Sequence, residues 1–335
     1  MTPMSDTVRA LAEADFSAIA QRFAAAGFAV NLPATGILQI AATVPNSDRM
    51  SLLLSVGVHG DETGPIEMLA HLLNELAAAP QQLAVDLMVV VGNLEAIAQG
   101  RRFIDVDLNR LFHVDSSDRG ELAAAAEAAR AALILQATEA FFAAPNAQKW
   151  HLDLHTAIRR SHYPTFAIVP EPIADNDKQV LSNFLGHAAI EAMVTSPKSA
   201  GTYTAYTARR FGSVSATLEL GQVGTLGQND LSLFIKPQAA LDAILRADPA
   251  VFAAPAAGSL PQRFKVAQEI VKLSDAFSMG FDRSTQNFTP LPQGAVIASD
   301  GDTVYCVQHA EELVIFPNPD VRIGFRAGLM VVRED

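Results

Sequence analysis

Cysteine is almost absent: Cys306 is the only one in 335 residues. The chain therefore has no intrachain disulfide and no thiolate-rich zinc cluster. Cations are scarce too, 24 Lys and Arg against 36 Asp and Glu, a formal charge of −12. A general nucleic-acid binder carries the opposite balance, so an anionic ligand would need a local cationic pocket working against the overall field. No run of about 20 apolar residues occurs, so no transmembrane helix is expected. The opening MTPMSDTVRALAEADF carries acids and lacks a continuous apolar stretch, a poor secretory signal. A cytoplasmic protein with neither nucleic-acid nor membrane partner is the expectation. No internal repeat is visible.

What is present is a long, half-hydrophobic chain (50%), enough for one large α/β domain or a large one plus a small one. Its centre is SLLLSVGVHGDE, residues 51–62. The uncharged run Leu52–Val58 reads as a strand buried on both faces, in a parallel or mixed sheet covered by helices. It stops at His59-Gly60-Asp61-Glu62, at a strand's carboxyl end, where open α/β sheets bind ligands. His59 and Glu62, three apart across a glycine turn, are spaced to converge on one metal ion.

Around this strand the pattern is regular. Residues 6–26 have helical spacing, and Phe28–Val30 and Ile37–Ile40 suggest a pair of edge strands. Ile66, Leu69, Leu72, Leu73 and Leu76 form one helix face behind Pro65, and Leu87–Gly92 is a second buried strand, completing a right-handed βαβ unit. Residues 93–112 mix Arg101, Arg102, Asp105, Asp107, Asn109 and Arg110 with apolar residues, as an ordered loop folded over a site does. An Ala-rich helix is expected over 118–143, with Leu122, Leu133, Leu135 and Phe141-Phe142 facing the core. Residues 150–155, WHLDLH, alternate with period two, placing His151, Asp153 and His155 on one face of a strand. A strand at 166–169, a helix at 176–190, a strand at 213–220 closed by Glu219, and a helix at 229–246 capped by Asn229-Asp230 follow. The linker composition of 253–262 precedes short β-like runs. The expected organisation is a catalytic domain, 1–252, and a β-rich C-terminal domain, 253–335.

His59 and Glu62 close one buried strand, His155 a second and Glu219 a third. In a zinc hydrolase these would be two imidazoles, one carboxylate ligand and a free carboxylate base, with a coordination position left for water. The alternative is a set of satisfied structural residues, which is what a lone strand-end His more often is. Asp153 either orients His155 from behind or pairs with a cation. His151 reads as structural and Cys306 as core. Arg101, Arg102 and Arg110, interleaved with acids, favour a buried network. Since guanidinium forks bind carboxylates bidentately, they point to an anionic substrate.

The segments HGDETGPIE (59–67), RRFIDVDLNRLF (101–112), WHLDLHTAIRRS (150–161), TLELG (217–221), GQNDL (227–231) and FPNPDVRIGFRAGLM (316–330) together resemble the succinylglutamate desuccinylases. These belong to the aspartoacylase group of the zinc carboxypeptidase-like superfamily. The resemblance runs over nearly the whole chain and implies an α/β/α sandwich on a mixed sheet, with a small β-rich C-terminal domain. It implies one zinc ion on His59, Glu62 and His155, and Glu219 as general base. Arg102 would polarise the scissile carbonyl, while Asn109 and Arg110 hold the substrate carboxylate and Arg159 reaches the substrate. The reaction implied is hydrolysis of N-succinyl-L-glutamate to succinate and glutamate, the last step of the succinyltransferase route of arginine breakdown in the bacterial cytoplasm. One departure is visible: where the family often has Asn-Pro-Pro, this chain has Asn93-Leu94-Glu95. The rival readings are a deacylase for another N-acyl amino acid, a carboxypeptidase, and an inactive binding module. The resemblance leaves a homo-oligomer open.

Overall fold

The uncharged run before His59 forms a strand buried at every position, Met50–Val56. The computed structural model describes residues 4–43, 48–113, 125–146, 148–197, 201–282 and 284–334. Among these, fifteen strands form: β1 (Ala29–Ala34), β2 (Ile37–Ala41), β3 (Met50–Val56), β4 (Asp86–Val91), β5 (Gln148–Ala157), β6 (Thr165–Pro170), β7 (Ala192–Ser196), β8 (Val214–Gln222), β9 (Gln262–Val271), β10 (Ser278–Met279), β11 (Thr289–Pro292), β12 (Val296–Asp300), β13 (Thr303–Cys306), β14 (Glu311–Ile315) and β15 (Arg326–Arg333). Twelve make one sheet in the order β1-β2-β4-β3-β5-β8-β6-β7-β9-β15-β14-β11, and β10-β12-β13 make a second. β4, β3, β5 and β8 run parallel at the centre, β6 is antiparallel to β8, and the sheet passes into the C-terminal region through the parallel β7–β9 pair. This is the expected mixed sheet with a β-rich C-terminal region.

Helices α1 (Asp6–Ala12), α2 (Ser17–Ala25), α3 (Gly64–Ala78), α4 (Leu94–Gln99), α5 (Ala126–Phe142), α6 (Asp175–His187), α7 (Tyr203–Phe211) and α8 (Ile235–Leu245) cover it. The two faces differ in chemistry. Leu52, Leu54, Val56, Leu152, Leu154 and Leu218 pack against apolar residues of α1, α3, α6 and α8 in one continuous core. The other face carries Leu53, Met88 and Val90 under α5 and α7, together with the buried polar side chains Ser55, His151, Asp153, His155, Ser215 and Glu219. The period-two alternation of β5 separates apolar packing from chemistry.

Several elements differ from the sequence expectation, each for a local reason. Residues 6–26 are two helices, because Ala14 takes a positive φ of 59° and Asp15 Oδ1 accepts the Ser17 amide at 2.9 Å. The 229–246 helix opens as a 3-10 turn, Leu231–Phe234, capped by Asp230, before α8. In α5, Leu133 is 46% exposed while Ala131, Ile134 and Phe142 are buried. The helical phase puts small alanines against the sheet, where the backbone approaches closely, and turns Leu133 outward. Residues 118–124 of that expectation, Leu122 among them, lie outside the described residues. The 93–112 segment contains α4, whose N-cap Asn93 accepts the Ala96 amide. Leu94 and Glu95 fill the first turn, where proline is tolerated, so Asn-Leu-Glu and Asn-Pro-Pro suit the same helix start.

Candidate functional site

β3 ends in a turn that only glycine permits. Gly57 has φ +64°, and a Cβ on Gly60 would run into the backbone of Ala96, Ile97 and Arg101, so His59 and Glu62 are delivered tight against the α4 segment. His155, still within β5 two residues before its end, stands beside them. The two imidazoles present Nδ1 to each other at 3.2 Å, and each Nδ1 meets one oxygen of Glu62, His59 with Oε1 and His155 with Oε2, both at 2.7 Å. All three side chains are buried, and their ligand atoms lie within 4.8 Å of one another. Behind them, His59 Nε2 faces Asp107 Oδ1 at 3.0 Å and His155 Nε2 faces Asp153 Oδ2 at 2.8 Å.

This donor set fits a metal. Tetrahedral zinc ligands about 2.0–2.1 Å from the ion stand roughly 3.3 Å apart, close to the imidazole spacing. A carboxylate on the far ring nitrogen is how metal-bound histidines are oriented. Next to these residues Asp61 Oδ1, Thr156 Oγ1 and Glu219 Oε2 are buried without a hydrogen-bond partner among the described residues, leaving capacity for something other than protein.

The electrostatics follow from crowding charge in a dry place. Burial and Arg102 press the His59 imidazolium down, but Glu62 and Asp107 outweigh them and its pKa rises. Burial opposes the charge of His155 as well, and Asp153 with Glu62 raise it well above the ordinary value. Glu62, despite its burial, is drawn well below the usual range by the two histidines. Glu219 goes the other way: burial first, then the charge of Glu62, push it up to about 7. Paired in register with His155 across β5 and β8, it is a buried carboxylate with a pKa near neutrality.

The arginines divide. Arg102 Nη1 donates to Glu62 Oε1 at 2.7 Å. Arg110 stands one step out, its Nη1 3.8 Å from Asp107 Oδ2. Asn109 is buried, but its Oδ1 accepts the Tyr203 amide at 2.9 Å, pinning the loop to α7. Arg159 donates to the Thr285 carbonyl oxygen at 3.4 Å, toward the C-terminal region. Arg101 is exposed.

Three contributors had no separable signal in the sequence. Asp107 was one acid among several, and nothing in the spacing tied it to His59. Arg326, at the start of β15, lies close enough to Arg110 and Asp107 to feel both; burial and the Arg110 charge lower it to about 10. Glu127 is buried on α5 and accepts the amides of Ile104 at 2.7 Å, Asp105 and Val106 at 3.3 Å, and Asn93 Nδ2 at 3.2 Å. It carries the backbone of the arginine loop. Glu127→Ala strands these donors, at about 1–3 kcal/mol each where water does not replace the acceptor. Denaturant unfolding should show a loss of that order, with a raised KM as the loop loosens. Unfolding and KM both equal to the parent's would show that the loop needs no such clamp.

Residues 48–245 match the model of the succinylglutamate desuccinylase/aspartoacylase catalytic domain, and residues 259–334 match the AstE/AspA barrel-sandwich hybrid domain. A succinylglutamate desuccinylase of Burkholderia cenocepacia is 43% identical over 85% of this chain and 82% of its own length. One of Burkholderia thailandensis is 41% identical over 89% and 84%. Among solved structures, the succinylglutamate desuccinylase of Vibrio parahaemolyticus superposes with a TM-score of 0.82 at 30% identity, covering 92% of this chain and 88% of that one. The Chromobacterium violaceum enzyme does so with 0.78 at 33%, covering 95% and 98%. Murine aminoacylase 3, at 16% identity and a TM-score of 0.55, shares the fold. With family-model matches over both regions and relatives above 40% identity, the chain belongs to the succinylglutamate desuccinylase/aspartoacylase family.

Proposed function

We propose that the protein hydrolyses the amide of N-succinyl-L-glutamate, with zinc held by His59, Glu62 and His155. The observation that carries this is the convergence of those three ligand atoms beside Glu219, whose Oε2 is buried and unpartnered. The names of the relatives supply the substrate, and the succinyltransferase route of arginine breakdown is where it would arise. A zinc ion there would polarise the scissile carbonyl and make water a better nucleophile near pH 7.

The chain's own residues do the rest. Glu219 takes the proton of the attacking water on Oε2 and returns it to the leaving amine. Arg102, which in this structure donates to Glu62, would swing its fork onto the oxygen that gains charge. Arg110, with Arg326 near it, offers the guanidinium needed for the carboxylates of a triply anionic substrate. Asn109 acts by fixing the loop, and Arg159 is the outermost candidate for substrate contact.

The test is primary-amine release from N-succinyl-L-glutamate, N-acetyl-L-glutamate and N-acetyl-L-aspartate in parallel. The succinyl substrate should lead by about 10–100-fold in kcat/KM over N-acetylglutamate, the worth of one charge-assisted carboxylate contact. A lead for either acetylated compound would keep the metal reading and overturn the substrate. Hydrolysis of none of them by zinc-loaded protein would remove both the substrate and the hydrolase reading.

A further inference from the structure

The polar face of the sheet holds a column of hydrogen bonds that the chemistry above does not use. Ser213 Oγ meets Ser215 Oγ at 2.7 Å, and Ser215 Oγ meets Thr207 Oγ1 at 3.0 Å. Thr207 Oγ1 meets His151 Nδ1 at 2.8 Å, and His151 Nε2 meets Ser55 Oγ at 2.9 Å. Ser55 Oγ donates to Asp153 Oδ1 at 2.6 Å, and the other oxygen of Asp153 meets His155 Nε2. His151, Asp153 and Thr207 are 0% exposed, so bulk solvent does not reach these bonds.

Counting protons gives the column a direction. Both oxygens of Asp153 face a donor, Oδ1 the Ser55 hydroxyl at 2.6 Å and Oδ2 the His155 ring at 2.8 Å, so the carboxylate accepts on each. Ser55 has one proton and gives it to Asp153, so it must accept from His151 Nε2–H. Burial holds His151 down at about 4, so the ring is neutral and Nδ1 carries a lone pair, which takes the Thr207 proton. Beyond His151 the hydroxyls have backbone acceptors as well, Thr207 Oγ1 reaching the Thr204 carbonyl oxygen at 3.1 Å and Ser215 Oγ that of Ser213 at 3.2 Å. The only proton that arrives from the opposite side is that on His155 Nε2, and a neutral His155 is left with its lone pair on Nδ1, the atom that faces Glu62.

We propose that His151 and Ser55 are positioning residues for the metal: through Asp153 they fix the tautomer and ring orientation of His155, so that Nδ1 is presented as a ligand. The proposal rests on the metal reading above, and its test separates the two. Zinc affinity is measured by chelator competition on parent protein, His155→Ala, Ser55→Ala, Ser55→Thr and His151→Phe, with melting temperatures of the metal-free forms in parallel. Ser55→Ala and His151→Phe should bind zinc about 10–100-fold more weakly. Ser55→Thr, which keeps the hydroxyl, should stay within about threefold of the parent. Ser55→Ala removes one oxygen and carries the test alone if His151→Phe does not fold. Parent-like zinc affinity in Ser55→Ala, with only its melting temperature lowered, would reduce the column to packing and overturn the proposal. Parent protein that binds zinc no better than His155→Ala would overturn the metal reading itself.

Discussion

Glu219→Gln should lower kcat by about 10²–10⁴-fold, the contribution of a positioned acid–base group, with KM nearly unchanged. The amide has the size of the carboxylate and fits the same buried position on β8, so folding is preserved while the proton acceptor is removed. The pH profile gives an independent readout. A base works only when deprotonated, and the pKa of Glu219 is raised to about 7. The parent's kcat/KM should therefore fall as pH drops through that region, at about 7 in the limit of no added positive charge and lower once a dication offsets Glu62. The residual activity of Glu219→Gln should lack this acid limb. If it keeps the limb, or retains more than about a tenth of the parent's kcat, another group is the base.

Glu62→Ala should weaken zinc binding by well over the 10–100-fold typical of a lost outer partner and take hydrolysis with it. Glu62 is the joint of the site: its two oxygens face one imidazole each, Arg102 donates to it, and the Thr156 amide donates to it at 3.1 Å. Without it the site keeps only two neutral imidazole ligands beside the Arg102 guanidinium, and a dication entering that space meets that positive charge with no carboxylate ligand to offset it. Zinc titration of the folded variant, checked by circular dichroism, decides the matter. Parent-like affinity would mean that the ion sits elsewhere. In the parent, a chelator should abolish amine release and zinc should restore it.

The parts of this site that the sequence exposed are those fixed by strand periodicity. Leu52–Val58 and WHLDLH are short-range patterns, and once each is a strand, His59 and Glu62 must leave at one end and His155 must share a face with Asp153. Glu219 followed from the same logic. What stayed hidden depends on partners far along the chain. Asp107 meets His59 across 48 positions, Glu127 reaches the loop amides from a helix whose alanines look featureless, and Arg326 arrives from the last strand. No local pattern separates such an acid or base from a solvated one. Leu133 failed for a related reason: hydrophobicity alone marked it as core, while the phase of α5 was set by alanines small enough to let the helix approach.

The parallel joint between β7 and β9 has a consequence for how the chain behaves outside its native state. β7 is buried at all five positions and has β6 on one side and β9 on the other. Until Gln262–Lys265 dock, that second side is a bare row of amides and carbonyls on an apolar ribbon, the template from which intermolecular association grows. During synthesis the preceding 250 or so residues emerge first and hold this edge open until the last strands arrive. The C-terminal strands thus act as a seal against self-association as well as a source of Arg326.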